Sequence, residues 1–142
     1  MILIVCVEDN LGMMFNCRRQ SKDRILRERI LEIAGEQKLF VSDYTAKQFA
    51  EKEQPRLTIF ENAKSICQEE GYCWIENPQE LPPVESISSI ILYRWNRAYP
   101  SDQFFPVDLS NWEMTSSREF VGSSHEKITE EVYRKNENIL EQ

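Results

Sequence analysis

Six cations, Arg18, Arg19, Lys22, Arg24, Arg27 and Arg29, fall within twelve residues of a chain whose formal net charge is −7. If they converged on one surface they would hold an acidic partner or a nucleic acid, because phosphate recognition is driven by clustered cations. Helical spacing instead divides them between faces, with Glu28 and Glu32 interleaved. The run therefore reads as a solvated helical face, and such a partner is not favoured. His125 is the sole histidine. A nucleophilic triad needs a placed nucleophile and an orienting acid, and multi-histidine metal chemistry is impossible with one His. Within Ser123-Ser124-His125-Glu126 it reads as an exposed residue of a hairpin turn. Cys6, Cys17, Cys67 and Cys73 form no C-x-x-C pair, so no metal site or redox dithiol is expected, and reduced thiols in the cytoplasm fit better. Asp23 has the place of an acid at a helix N-terminus, which the helix dipole favours. Met13, Met14 and Phe15 make an apolar run in a polar loop, either a lid over a ligand or a plug for the core.

These residues must be positioned by one domain, since 142 residues is the common size for one and short for two. The domain is expected to span 1–136, with 137–142 a frayed tail. Hydrophobic residues at 41% with 29% charged residues predict a soluble globule. The apolar run Met1 to Val7 ends at Glu8 and Asp9, too short for a signal peptide or a membrane span.

Ile2 to Val7 is apolar on both faces and reads as a central strand. Glu8 to Gln20 reads as a long loop. Ile25, Leu26, Ile30, Ile33 and Ala34 recur at helical spacing, with Ser21 or Lys22 near the cap and Gly35 at the end. Leu39 to Val41 predicts a short strand, and Thr45-x-x-Gln48 has the capping-box pattern for a brief helix through Glu51. Further strands are predicted at Leu57 to Phe60, Tyr72 to Ile75, Ile87 to Trp95, Trp112 to Phe120 and Ile128 to Arg134, with Gly122 to Ser124 as a hairpin connection. Early strands alternating with helices, then an antiparallel hairpin, predict a mostly parallel α/β sheet flanked by helices.

Four segments in order carry a resemblance to the dihydrofolate reductase family. ILIVCVEDNLGMMFN resembles its first strand and mobile loop, with Gly12-Met13 in place, and KLFVSDYTAKQF its second strand and following helix start. PRLTIF resembles the third strand with its leading Arg. ILYRWNRAYPSDQFFPVDLSNWEMTSSREF followed by EEVYRK resembles the family's C-terminal third, with Asp102, Phe105, Pro106, Trp112 and Phe120 at family spacing. The resemblance implies a reductase-like three-layer α/β domain with a mostly parallel central sheet and an antiparallel C-terminal hairpin.

It also implies a damaged cofactor side. The family holds the NADPH phosphates on helix N-termini and cations. Its G-R-x-T segment appears here as Ser42-Asp43-Tyr44-Thr45, which keeps only Thr45 as a candidate cofactor contact, and its basic turn after the third strand appears as Glu61-Asn62. Carboxylates near a phosphate repel it. The family's Gly-Gly turn is missing, since no two of the four glycines are adjacent, and Asn77 to Ser88 is too short for the turn and its helix. On the substrate side the family's catalytic carboxylate aligns with Leu26, and Asp23, a helical turn earlier, is the candidate substitute. Tyr93 replaces the carboxylate's Thr partner, Arg19-Gln20 stands where the loop ends in Pro-Trp, and Arg56 keeps the place that grips the substrate carboxylate.

The expectation is a divergent reductase-like protein with little or no NADPH-dependent reduction and no cofactor, keeping a small-ligand cleft lined by Val5, Met13, Phe15, Leu26, Arg56 and Tyr93. The first alternative is an active folate or pterin reductase that binds NADPH in a rearranged site, with Asp23 supplying the proton. The second is a non-catalytic interaction module that docks an acidic protein or nucleic acid through the basic 18–29 segment.

Overall fold

The computed structural model describes residues 1–136; the tail predicted to fray lies outside the described residues. In chain order the strands are β1 (Ile2–Val7), β2 (Gly12–Phe15), β3 (Arg18–Arg19), β4 (Leu39–Val41), β5 (Leu57–Ile59), β6 (Tyr72–Trp74), β7 (Ser89–Arg94), β8 (Gln103–Phe104), β9 (Trp112–Phe120) and β10 (Ile128–Lys135). The α-helices are α1 (Arg24–Ala34) and α2 (Asp43–Ala46). One seven-stranded sheet runs β5-β4-β6-β1-β7-β10-β9, and β3-β2-β8 form a small second sheet. The pairs from β5 to β7 are parallel, and β10 is antiparallel to both β7 and β9. This is the mixed α/β sheet, parallel with an antiparallel C-terminal hairpin, that the pattern predicted.

The apolar β1 sits mid-sheet because both its faces have cores to fill. Leu3, Val5 and Val7 pack on one face with Met13, Met14, Leu92 and Phe105. Ile4 points to the other face, where Leu26, Ile30, Leu31 and Ala34 of α1 supply a stripe at helical spacing. The first face is covered by the small sheet and short 3₁₀ turns rather than by a long helix.

Residues 8–20, predicted as a loop, contain β2 and β3. The buried Glu8 carboxylate folds the turn by accepting the amides of Asn10 at 2.8 Å and Gly12 at 2.6 Å. A Cβ on Gly12 would collide with Ser101 and come within 2.7 Å of the Glu8 carboxylate. The turn delivers Met13 and Met14 to the core at 4% and 3% exposure, whereas Phe15 stays open. The second helix also starts earlier than the Thr45-x-x-Gln48 pattern suggested. Ser42 is its N-cap, accepting the Thr45 amide at 3.2 Å, which frees the Thr45 side chain for another contact.

Helix α1 ends at Gly35, whose positive φ of 56° lets its amide reach the Leu31 carbonyl. Arg56 closes the same end, donating from Nη2 to the carbonyls of Leu31 at 2.8 Å and Gly35 at 3.4 Å. Between β6 and β7 the chain makes only two 3₁₀ turns, Pro78–Glu80 and Val84–Ser86, so this crossover carries no α-helix. No helix among the described residues is long and apolar enough to cross a membrane.

A buried ion pair ties α1 to the hairpin. Glu130, 4% exposed, accepts Arg29 Nε at 2.9 Å, Arg29 Nη2 at 3.2 Å and the Tyr93 hydroxyl at 2.9 Å. Burial alone would raise the Glu130 pKa, but the Arg29 and Tyr93 hydrogen bonds hold it below the ordinary carboxylate value. Arg29→Ala, which strands this carboxylate, is expected to cost about 3 kcal/mol in urea unfolding at neutral pH. Because the folded-state value is depressed, the pair stabilises above roughly pH 4 and its contribution is lost as pH falls, so the deficit should shrink in acid.

Candidate functional site

The site is built at the start of α1. Asp23 is the N-cap, with extended backbone at φ −150° and ψ 126°, and its Oδ1 accepts the Leu26 amide at 3.1 Å. The β9–β10 connection lies against this helix end and adds the amides of Ser123 at 3.0 Å and Ser124 at 2.9 Å. Close approach is possible because Gly122 has no side chain; a Cβ there would collide with the Asp23 carboxylate. Burial opposes ionisation of Asp23, but the His125 imidazole and the three amides outweigh it and hold the carboxyl far below the ordinary carboxylate range.

His125 was expected to be exposed, and the structure corrects this: it is 3% exposed and stacked on Trp95 with centroids 4.4 Å apart. The docked hairpin buries it. Its Nδ1 lies 3.0 Å from Asp23 Oδ2, and its Nε2 lies 3.0 Å from Ser21 Oγ and 3.2 Å from the Tyr99 hydroxyl. The carboxylate can only accept, so it assigns the proton to Nδ1 and leaves Nε2 as acceptor for a hydroxyl. The sequence carries no signal for this meeting, since Asp23 and His125 are 102 positions apart.

A second buried carboxylate, Glu76, follows β6 at the carboxyl end of the parallel strands and is 8% exposed. Arg19 grips both its oxygens, Nε to Oε2 at 2.8 Å and Nη2 to Oε1 at 3.0 Å. Thr45 Oγ1 and Gln48 Nε2 donate to Oε1 at 2.9 and 3.1 Å. Arg19 also stacks over the Tyr44 ring at 4.2 Å. Sequence reasoning missed Glu76 because it stands in a run of ordinary polar residues. Between the two carboxylate centres lies a cavity of about 10 Å³, lined among others by Cys6, Met13, Leu26, Trp74 and Trp95. That is room for about one water. Gln20 Oε1 and Trp74 Nε1, also in its wall, are buried with no hydrogen-bond partner among the described residues.

Of the six residues expected to line one cleft, Met13 and Leu26 meet at this cavity, where Asp23, the candidate catalytic acid, joins them. The other four do not join them. Val5 is in the core on the far face of β1, and Tyr93 is fully buried with its hydroxyl committed to Glu130. Arg56 closes the far end of α1. Phe15, 42% exposed, lines an open hollow of about 530 Å³ with Asn16, Arg18, Tyr99 and Pro100. Thr45, the candidate cofactor contact, bonds Glu76. Among the six clustered cations, Arg19 pairs with Glu76, Arg24 with Glu28, and Arg29 with Glu130 and Glu32. Arg18, Lys22 and Arg27 form no ion pair among the described residues. No group of three His, Cys, Asp or Glu there is arranged to hold a metal ion.

Asp23→Asn keeps a competent N-cap but turns an amide toward the Ser124 amide and His125 Nδ1–H, and is expected to cost about 2–4 kcal/mol. The depressed Asp23 value makes its contribution full above about pH 4 and lost as pH falls. Thermal melts of the variant should therefore be less pH-dependent than wild type between about pH 2 and 5.

Neither a family model nor a curated protein matches this sequence. Among solved structures, the chain is similar to the dihydrofolate reductase from Enterococcus faecalis complexed with NADP(H) and RAB-propyl. The match covers 95% of each chain with a TM-score of 0.67 and 13% sequence identity. The likeness shows that the chain has a dihydrofolate-reductase-like fold.

Proposed function

We propose that this chain is a divergent dihydrofolate-reductase-like protein that binds a small ligand and performs little or no NADPH-dependent reduction. The observation that carries the reading is the Glu76 centre. Open α/β sheets take ligands at the carboxyl ends of their parallel strands, and a dinucleotide brings phosphates there. Here that end holds a carboxylate whose donors Arg19, Thr45 and Gln48 are already engaged. Phosphate would be repelled by Glu76, and taking Arg19 from it would strand a buried charge. Asp23 supports the same reading, since an acid held ionised is a poor proton donor to a substrate.

The ligand-binding half rests on the hollow beside Phe15, whose volume of about 530 Å³ suits a small molecule. Phe15 and Tyr99 offer ring faces and Arg18 a cation, a combination that favours a flat anionic compound. The four free thiols favour the cytoplasm as its compartment.

Titration followed by the fluorescence of Trp74, Trp95 and Trp112 tests both halves. NADPH is expected to give no saturable change below about 1 mM, and micromolar binding would overturn the reading. Folate, a flat aromatic anion, is the probe for the hollow. Its affinity should fall about tenfold in Arg18→Ala, the worth of one exposed charge-assisted contact.

A further inference from the structure

We propose that Ser21, His125 and Asp23 form a nucleophilic relay that hydrolyses a small carboxylic ester, an activity that goes beyond ligand binding. Three side chains line up at hydrogen-bond distance in the order such chemistry requires. Ser21 Oγ stands 3.0 Å from His125 Nε2, and His125 Nδ1 stands 3.0 Å from Asp23 Oδ2. The acid and the base are buried, at 2% and 3% exposure, whereas Ser21 is half-buried. The carboxylate stays ionised, the state needed to hold Nδ1–H and to stabilise an imidazolium. The Trp95 ring fixes the imidazole plane. The amides of Ser123 and Ser124 dock the connection on Asp23, and His125 adds a ring whose Nδ1 faces that carboxylate while its Nε2 faces the Ser21 hydroxyl.

Ser21 lines the small cavity between the two carboxylate centres, and its neighbour Gln20 lines both that cavity and the hollow beside Phe15, Arg18 and Tyr99. The Tyr99 hydroxyl, 3.2 Å from the same Nε2, shares that nitrogen with Ser21 and is the nearest hydroxyl that could turn to an oxyanion formed there. Ser21 Oγ would bond to the acyl carbon as its proton passes to Nε2. The bond to the alkoxide then breaks and the departing alcohol takes that proton. Water attacks the acyl-serine, gives a proton to Nε2, and the serine oxygen recovers it as the acid leaves. The sum is ester plus water to acid plus alcohol. Arg18 favours an acyl group that carries a negative charge.

The test is labelling with a fluorophosphonate, which traps serine nucleophiles activated in this way, together with p-nitrophenyl acetate turnover. Intact protein should gain one adduct that peptide mass spectrometry places on Ser21. Ser21→Ala, confirmed folded by circular dichroism, should lose the adduct and at least about 100-fold of turnover. His125→Gln should lower labelling as much, while Ser21→Cys should keep a nucleophile that iodoacetamide alkylates faster than the chain's other thiols. Labelling no faster than in heat-denatured protein, an adduct on Tyr99, or unchanged labelling in Ser21→Ala would each overturn the proposal. None of these outcomes bears on whether NADPH or folate binds.

Discussion

The start of α1 and the connection docked on it depend on one ionised carboxylate buried away from bulk solvent. Asp23 is 2% exposed, and a charge in that setting persists only if protein donors replace its hydration. The helix N-terminus supplies one amide, the hairpin connection two more and His125 an N–H. These donors, with the Ser124 hydroxyl at 3.2 Å, come from both elements, so the carboxylate acts as a pin that holds α1 against the β9–β10 connection. Remove the charge and the two elements lose their reason to meet at this angle.

The same arrangement recurs around Glu76 and Glu130, each buried and each gripped by an arginine through two nitrogens. In a chain with net charge −7 the cations are scarce, and Arg19 and Arg29 of the basic run are spent on interior carboxylates instead of on a surface field. This accounts for a dense cluster of positive residues yielding so little free positive charge. The donors at the carboxyl edge of the dihydrofolate-reductase-like sheet likewise have an internal anion to serve.

The sheet was legible in the sequence because hydrophobic alternation and β-branched runs report directly on which faces are buried. Ile2–Val7 and α1 followed from that pattern alone. The absent helix between β6 and β7 followed from chain length, since no α-helix fits the residues available. What escaped depends on contacts between distant residues. Loop residues 8–20 became strands because the Glu8 side chain closed a turn, an event that no periodicity encodes. His125 looked exposed because its neighbours are polar, and those neighbours are polar because they face Asp23. Val5 and Tyr93 were assigned to one cleft although successive strand residues face opposite ways, and only the register of β1 against β7 shows which cores they fill.

The order of the sheet has a kinetic side. β1 is the first strand made, yet its neighbours β6 and β7 begin only at Tyr72 and Ser89. Long-range pairings of this kind close slowly because the loop entropy falls due before any contact offsets it. During synthesis β1 must wait with both edges open, shielded by neither partner, until most of the chain has emerged. Asp23 waits longer still, for donors a hundred positions downstream, so its carboxylate stays hydrated by solvent until the β9–β10 connection exists to replace that water.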